Sequence, residues 1–318
     1  MIGATANIAQ QAVLPALAKS PTCEVVSVAS LGRPDGDYDT FGAARVAATY
    51  EDVLSDPDVE AIYIPLPNSL HPEWTIKAAE AGKHVLCEKP LASTAIEATA
   101  MAAACDTAGV LLFEAYMTPF HPRSAVFDDV VRSGRLGDLR FARTAFTGIL
   151  KDNNNHRWAP EMGGGALLDV GIYCLAPLLA AAGRSPLGLA ASATMTPSGV
   201  DSSFAGWLDF GGGLTASFEC SFETPERQQI EIVGTDAALT MERTFTPGPN
   251  DTRFTLLHRS GETQQLESEG GNSYLGMVDH VATVLRGGAA PRRTPADAIE
   301  VATLIDRLRT IAAAGVGA

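Results

Sequence analysis

The first third of the chain alternates short apolar, β-branched runs with segments of helical length and period, and few folds accept that alternation. Residues 25–29, 61–64, 85–87 and 110–113 each read as a buried strand. Residues 7–19 bring Ile8, Ala12, Val13, Ala16 and Leu17 onto one helical face, with a kink expected at Pro15. A helix over 71–81 stops at Gly82. Another over 95–108 opens on the Thr94/Glu97 capping-box spacing and stops at Gly109. Strands separated by whole helices run parallel, because each crossover returns the chain to the same end of the sheet.

The pattern changes after about residue 120. A helix over 123–133 leads to a strand over 139–146, an Asn- and Gly-rich loop over 151–165 and an Ala-rich buried helix over 166–182. From 187 to 266 the signal is β. Ala216, Phe218, Cys220 and Phe222 share one face, with Thr215, Ser217, Glu219 and Ser221 on the other. Helices return at 274–286 and 296–312. The expectation is an α/β chain: a nucleotide-binding domain over 1–120, then an α+β domain over 121–318 with an open, mostly antiparallel sheet. The last helix is a candidate to pack back on the first domain. At 318 residues the chain has the length for two such domains.

Composition narrows the partners. With 23 Lys and Arg against 37 Asp and Glu the net charge is −14, which argues against a nucleic-acid partner. The five cysteines, 23, 87, 105, 174 and 220, form no CxxC pair and read as reduced, buried thiols of a cytoplasmic protein. No basic segment followed by an apolar run marks a signal peptide, and no stretch reaches the ~18 apolar residues that span a bilayer. No His or Cys pair has metal-ligand spacing, so no metal is expected.

In such a chain the loop between the first strand and the first helix is the place for a dinucleotide pyrophosphate. Here Ala4, Ala6 and Ala9 hold the fingerprint spacing without its glycines, and an ordinary small-residue turn competes with that reading. Only Met1 and Ile2 precede Gly3, where a strand usually has about 5–6 residues. The expectation is that a few residues precede this start or that the first strand is shortened. The second strand ends Ser30-Leu31-Gly32-Arg33 with no carboxylate to bond a ribose 2′-OH. Ser30 and Arg33 suit a 2′-phosphate, so NADP is expected over NAD; Arg33 solvating a loop tip is the competing reading.

Two further segments carry chemistry. The strand over 85–87 runs straight into Glu88-Lys89-Pro90, delivering a lysine to a strand end that lines the ligand crevice, with Pro90 fixing the turn, a cis bond included among its forms. Gly163, Gly164 and Gly165 then open a helix in which Asp169 and Tyr173, four residues apart, share a face. A core tyrosine and a capping or salt-bridged aspartate remain alternatives for each residue taken singly.

These segments resemble the Gfo/Idh/MocA family (glucose–fructose oxidoreductase, inositol dehydrogenase, rhizopine catabolism) over nearly the whole chain. The resemblance rests on Thr5-Ala6-Asn7-Ile8-Ala9, Pro65-Leu66-Pro67-Asn68-Ser69-Leu70-His71, the run from Ala81 to Pro90, and Gly163 to Tyr173. Many members carry His at position 173. The tyrosine form resembles NADP-dependent xylose dehydrogenases and dimeric dihydrodiol dehydrogenases. What the resemblance implies is a Rossmann domain with cofactor contacts at Ala4, Thr5, Ala6, Asn7, Ile8, Pro65, Leu66, Asn68, His71, Glu88 and Lys89. A substrate site at Lys89, Tyr116, Arg157, Trp158, Asp169 and Tyr173 is implied with it. It further implies sugar or cyclic polyol substrates and a homodimer or homotetramer formed through the C-terminal sheet. Tyr173 would serve as acid or base, with Lys89 lowering its phenol from an ordinary pKa near 10. Asp169 would orient the pair. Arg157 and Trp158 would bind the sugar, or anchor their loop. His71 would lie near the cofactor, or merely start a helix. Pro119 stands where close relatives are expected to carry arginine. Competing functions are a non-catalytic NADP(H) sensor, a reductase of a dicarbonyl sugar, and a cyclic diol dehydrogenase.

Overall fold

A computed structural model of the chain describes residues 1–31, 38 and 42–315, so Arg33 lies outside the described residues. Two compact units emerge: Met1–Met117 with Asn272–Ile299, and Thr118–Gly271 with the chain from Glu300 on.

In the first unit a π-turn at Ala9–Val13 leads into α1 (Leu14–Leu17). Pro15 has no N–H and its ring crowds the carbonyl four residues back, and the wider turn, closed by Leu14 N–H to Ala9 O, makes room for it. The strands β1 (Ser27–Val28) and β2 (Arg45–Val46) pair in parallel. The short α2 (Tyr50–Ser55) is closed by a Thr49/Asp52 capping box. Then β3 (Ala61–Ile64), α3 (His71–Glu80), β4 (His84–Glu88), α4 (Ala95–Ala108) and β5 (Leu112–Ala115) follow, the three strands parallel in the order β3-β4-β5. The expected Thr94/Glu97 box caps α4, and Gly109 ends it.

Met1 and Ile2 stitch the two strand groups together. Ile2 bridges Ala29 in parallel, Ala29 N–H donates to Met1 O at 3.0 Å, and Ile2 N–H donates to Tyr63 O at 3.2 Å. Two residues thus fill the central strand position, and Ile2 is fully buried with Ala29, Ile62, Ile64, Val85 and Cys87 in one apolar cluster.

The second unit starts with α5 (Pro122–Arg132) and β6 (Leu139–Ile149). A π-turn at Leu167–Gly171 runs on into α6 (Ile172–Ala182). Then come β7 (Gly188–Met195), β8 (Asp201–Gly211), β9 (Leu214–Ser221), β10 (Glu223–Gly234), β11 (Ala237–Glu242), β12 (Arg253–His258) and β13 (Thr263–Glu267). They form one eight-stranded sheet in the order β13-β12-β11-β10-β6-β9-β8-β7, antiparallel everywhere except β6 against β9. The chain closes with α7 (Ser273–Leu285) and α8 (Pro295–Gly315).

The alternation read in the sequence sets this sheet's faces. Ala216, Phe218 and Cys220 are buried, and the core face carries α6, with Thr144 Oγ1 donating to Cys174 O at 3.3 Å. Phe141 and Trp207 stand exposed. The helical stretch Pro160–Ala182 is long and apolar enough to cross a bilayer by length and composition alone, although Glu161 and Asp169 interrupt its apolar run. Its most apolar window is 67% buried inside the protein, as befits a core helix.

Candidate active site

The loop after Ile2 turns at Gly3, whose φ is +72°. The positive φ favours glycine, and a Cβ there would lie 2.7 Å from Leu66 Cδ2 and push that side chain aside. Ala6 N–H closes the turn on Gly3 O at 3.0 Å, and Gln10 Nε2 holds Ala4 O at 2.5 Å. Ala4 is buried, Thr5, Ala6 and Ile8 half-buried, and Asn7 exposed where the helix begins. Thr5 and Ser30 share a hydroxyl–hydroxyl hydrogen bond of 2.6 Å, which ties the loop to the end of β1. One bond between two hydroxyls leaves one proton to offer, and Thr5 is the more accessible of the two. A tight turn, small residues at 4 and 6 and a helix start directly beyond fit a dinucleotide pyrophosphate.

Sequence reasoning aligned the fingerprint on Ala4, Ala6 and Ala9 and so overlooked Gly3. The signal was there: a lone glycine directly after the apolar pair Met1-Ile2.

At the carboxyl ends of β3, β4 and β5 the polar groups are tightly engaged. Tyr63 Oη donates to Glu88 Oε1 at 2.6 Å, and Lys89 N–H reaches Glu88 Oε2 at 3.2 Å. Burial, then the adjacent Glu88, pushes the Tyr63 phenol well up, and the Tyr274 phenol moves the same way for the same two reasons. The Lys89–Pro90 bond is cis. His71 is fully buried, Nδ1 3.0 Å from Pro90 O and Nε2 2.9 Å from Leu66 O. Each ring nitrogen thus faces a backbone carbonyl oxygen; the neutral ring donates to one of the two and the imidazolium to both, so His71 spans the loop after β3 and the turn after β4. Pro65 is buried, while Leu66 and Asn68 are half-buried beside that ring.

Glu114, buried on β5, accepts from Leu91 N–H at 2.9 Å and from Arg293 Nε at 2.7 Å. The Arg293 guanidinium lies 5.0 Å over the ring of Tyr116, which is 4% exposed. Neither Glu114 nor Arg293 was singled out from the sequence. A carboxylate inside the apolar run 112–115 could have flagged the first. Nothing local marks the second, 179 residues away.

In the second unit Tyr173 is 5% exposed on α6. Its ring meets Phe146 edge-on at 5.2 Å and lies 6.0 Å from Phe245, and those two phenylalanines stack at 5.5 Å. Asp169 lies in the π-turn before it, where Oδ2 accepts from Arg157 Nε at 2.7 Å. Trp158 packs edge-on to Phe222 at 5.3 Å, and its buried indole N–H has no hydrogen-bond partner. The turn carrying Asp169 is held from β8: Asp201, buried, accepts from Leu167 N–H at 2.6 Å. Asp201 too was not anticipated, being an anchor supplied by a distant strand. Among the described residues no group of three or more His, Cys, Asp or Glu is placed to hold a metal.

Residues 1–116 match the family model described as "Oxidoreductase family, NAD-binding Rossmann fold", and 127–240 match the GFO/IDH/MocA C-terminal domain. The chain belongs to the Gfo/Idh/MocA family. Within that family it is 32% identical over 314 residues to a D-xylose 1-dehydrogenase (NADP(+)) of Haloferax volcanii, covering 98% of this chain and 96% of the relative. It is 31% identical to a dTDP-3,4-didehydro-2,6-dideoxy-alpha-D-glucose 3-reductase of Actinomadura kijaniata, over 96% of this chain and 92% of the relative. Among Gfo/Idh/MocA-type structures, a 3-ketoreductase from Actinomadura kijaniata in complex with NADP and TDP-benzene superposes with a TM-score of 0.89 at 30% identity, covering 97% and 95% of the two chains. This Gfo/Idh/MocA member is an oxidoreductase acting on CH–OH groups, with an NAD(P)-binding Rossmann domain.

Proposed function

We propose that this chain transfers a hydride between NADP(H) and a sugar or cyclic polyol carbon that bears a hydroxyl. The observation that carries the reading is Tyr173: a nearly buried phenol fixed by Phe146 and Phe245, one turn beyond an aspartate ion-paired to Arg157. The relatives' named substrates, D-xylose and a dTDP-linked deoxyketosugar, supply the substrate class.

In this mechanism Tyr173 takes the hydroxyl proton as the C–H hydride leaves, and returns it in the reverse direction. NADP supplies the hydride acceptor. Lys89, delivered at the end of β4, presents a cation for the substrate oxygen. Asp169 and Arg157 orient the proton-transferring group and a neighbouring sugar hydroxyl, and Trp158 offers its free indole N–H. Thr5, Ser30 and the loop from Ala4 to Ile8 hold the cofactor phosphates, with Pro65, Leu66, Asn68 and Glu88 along its path. His71 acts from behind as a clamp. The preference for NADP follows from the hydroxyl, rather than carboxylate, at Ser30.

Reduction of a keto sugar is the second reading, favoured by several 3-reductases at 31–33% identity. We also place the enzyme in the cytoplasm, in keeping with five free cysteines, as a homodimer or homotetramer joined through the sheet face that exposes Phe141 and Trp207.

The test follows absorbance at 340 nm with NADP and NAD against D-xylose, other aldoses, inositol and a cyclic diol, with a TDP-ketosugar in the reverse direction. Turnover that collapses in Tyr173→Phe while NADPH still binds supports the assignment. Unchanged turnover in that variant rejects it.

A further inference from the structure

A continuous set of polar contacts crosses the strand ends of the first unit. It starts at Arg293, in the segment between α7 and α8. Arg293 Nε donates to Glu114 Oε2 at 2.7 Å, and Glu114 Oε1 accepts from Leu91 N–H at 2.9 Å. One residue back, Pro90 O meets His71 Nδ1 at 3.0 Å, and His71 Nε2 meets Leu66 O at 2.9 Å. Leu66 in turn fills the space under Gly3. Lys89 sits in the middle of this strap, its own N–H on Glu88.

The Glu114–Arg293 pair is an unusual thing to bury. Side-chain exposure is 2% and 12%, and Arg293 Nη2 is buried without a hydrogen-bond partner. Apolar residues of similar size hold a core at least as well as a buried ion pair does, so stability alone is a weak reason for it. Its geometry gives a better one: two fixed acceptor oxygens, one of them on the amide directly beyond Lys89-Pro90.

We propose that Glu114 and Arg293 are positioning residues for Lys89, holding the turn that presents its ammonium group. The proposal rests on the reading of Lys89 as part of the catalytic machinery, and the experiment separates the two.

The protein is the full chain carrying Glu114→Leu with Arg293→Met, which removes both charges together and so leaves neither stranded. A second variant, Arg293→Lys, keeps the charge. Two readouts need no substrate: amide hydrogen exchange of the peptide containing Leu91, and acetic anhydride labelling of Lys89 relative to exposed Lys151. In the double variant Leu91 exchange is expected to rise at least tenfold and the labelling ratio to change at least threefold, with exchange in β6 and β9 unchanged. In turnover, kcat is expected to fall at least tenfold with KM within threefold, and Arg293→Lys to recover part of it. Unchanged Leu91 exchange and labelling in the folded double variant overturns the proposal. So does full kcat there while Lys89→Met is inactive. Full activity in Lys89→Met instead overturns the catalytic reading of Lys89, and the positioning of its amine then stands or falls on exchange and labelling.

Discussion

Arg157 Nε and Asp169 Oδ2 lie 2.7 Å apart, and the same arginine's carbonyl accepts from Gly165 N–H at 2.9 Å. Side chain and backbone together fold the 155–165 loop onto the start of the helix that carries Tyr173. Charge-assisted bonds of this length are stronger than neutral ones, and Asp169 is only 15% exposed. Asp169→Asn should therefore cost about 1 kcal/mol in urea unfolding. Its larger effect should be on turnover, a loss on the order of 10²-fold if the aspartate serves proton transfer. Near wild-type kcat with reduced stability would assign Asp169 to the loop alone.

The Thr5–Ser30 hydrogen bond brings two hydroxyls to the end of β1, where the proposed cofactor reading places the ribose. NADPH should accordingly bind at least about tenfold more tightly than NADH, a difference of roughly 1.4 kcal/mol. Ser30→Asp should reverse the order by repelling the 2′-phosphate. Fluorescence titration of both nucleotides decides it, and equal dissociation constants for the two in the unmodified protein would remove the proposed preference.

Much of this architecture was legible because its signals are local. The apolar runs at 61–64 and 85–87 became β3 and β4, the Thr94/Glu97 spacing became a complete capping box, and the alternation at 216, 218 and 220 set the buried face of β9. The run read over 25–29 holds β1, whereas β2 has two residues, too few for any periodicity to register, and α2 went unread with it. The π-turn holding Asp169 depends on backbone packing that residue type does not announce. Lys89, Asp169 and Tyr173 stood out as polar groups in apolar settings. Their supports, Glu114 with Arg293 and Asp201 with Leu167, pair across long stretches of chain, and no local pattern encodes a partner that distant.

Histidine protonation should make the fold sensitive to acid. Burial holds the His71 imidazolium below its ordinary value near 6.5, against an opposing pull from the Leu66, Pro90 and Leu91 backbone. The unfolded chain then binds more protons than the folded one between the folded and unfolded pKa values, so stability falls as pH drops below about 6.5. His84, His121 and His280 are shifted in the same direction, each chiefly by burial. Tm should decline from pH 7.5 to 5.5, with a shallower slope in His71→Gln. An identical slope in that variant would mean that other groups carry the acid sensitivity.

Gly165 and Asp201 offer the sharpest structural test of how the Tyr173 helix is held. Gly165 sits at φ +111°, which side chains other than hydrogen rarely adopt, and a Cβ there would come within 2.4 Å of Asp201 Oδ1. The same carboxylate accepts from Leu167 N–H at 2.6 Å, so the strain would fall on the bond that starts the helix. Gly165→Ala should lower stability by about 2–3 kcal/mol, the backbone strain adding to a damaged cap. Because Asp201 holds the helix start, the change should also shift Tyr173, giving a fall in kcat larger than the rise in KM. Asp201→Asn keeps an oxygen for Leu167 and should be milder in both respects, although it removes the charge opposite Arg309. Urea titration and steady-state kinetics on the pair of variants check the order. A Gly165→Ala protein as stable and as active as the parent would show that the helix start adjusts freely and that Asp201 does not fix it.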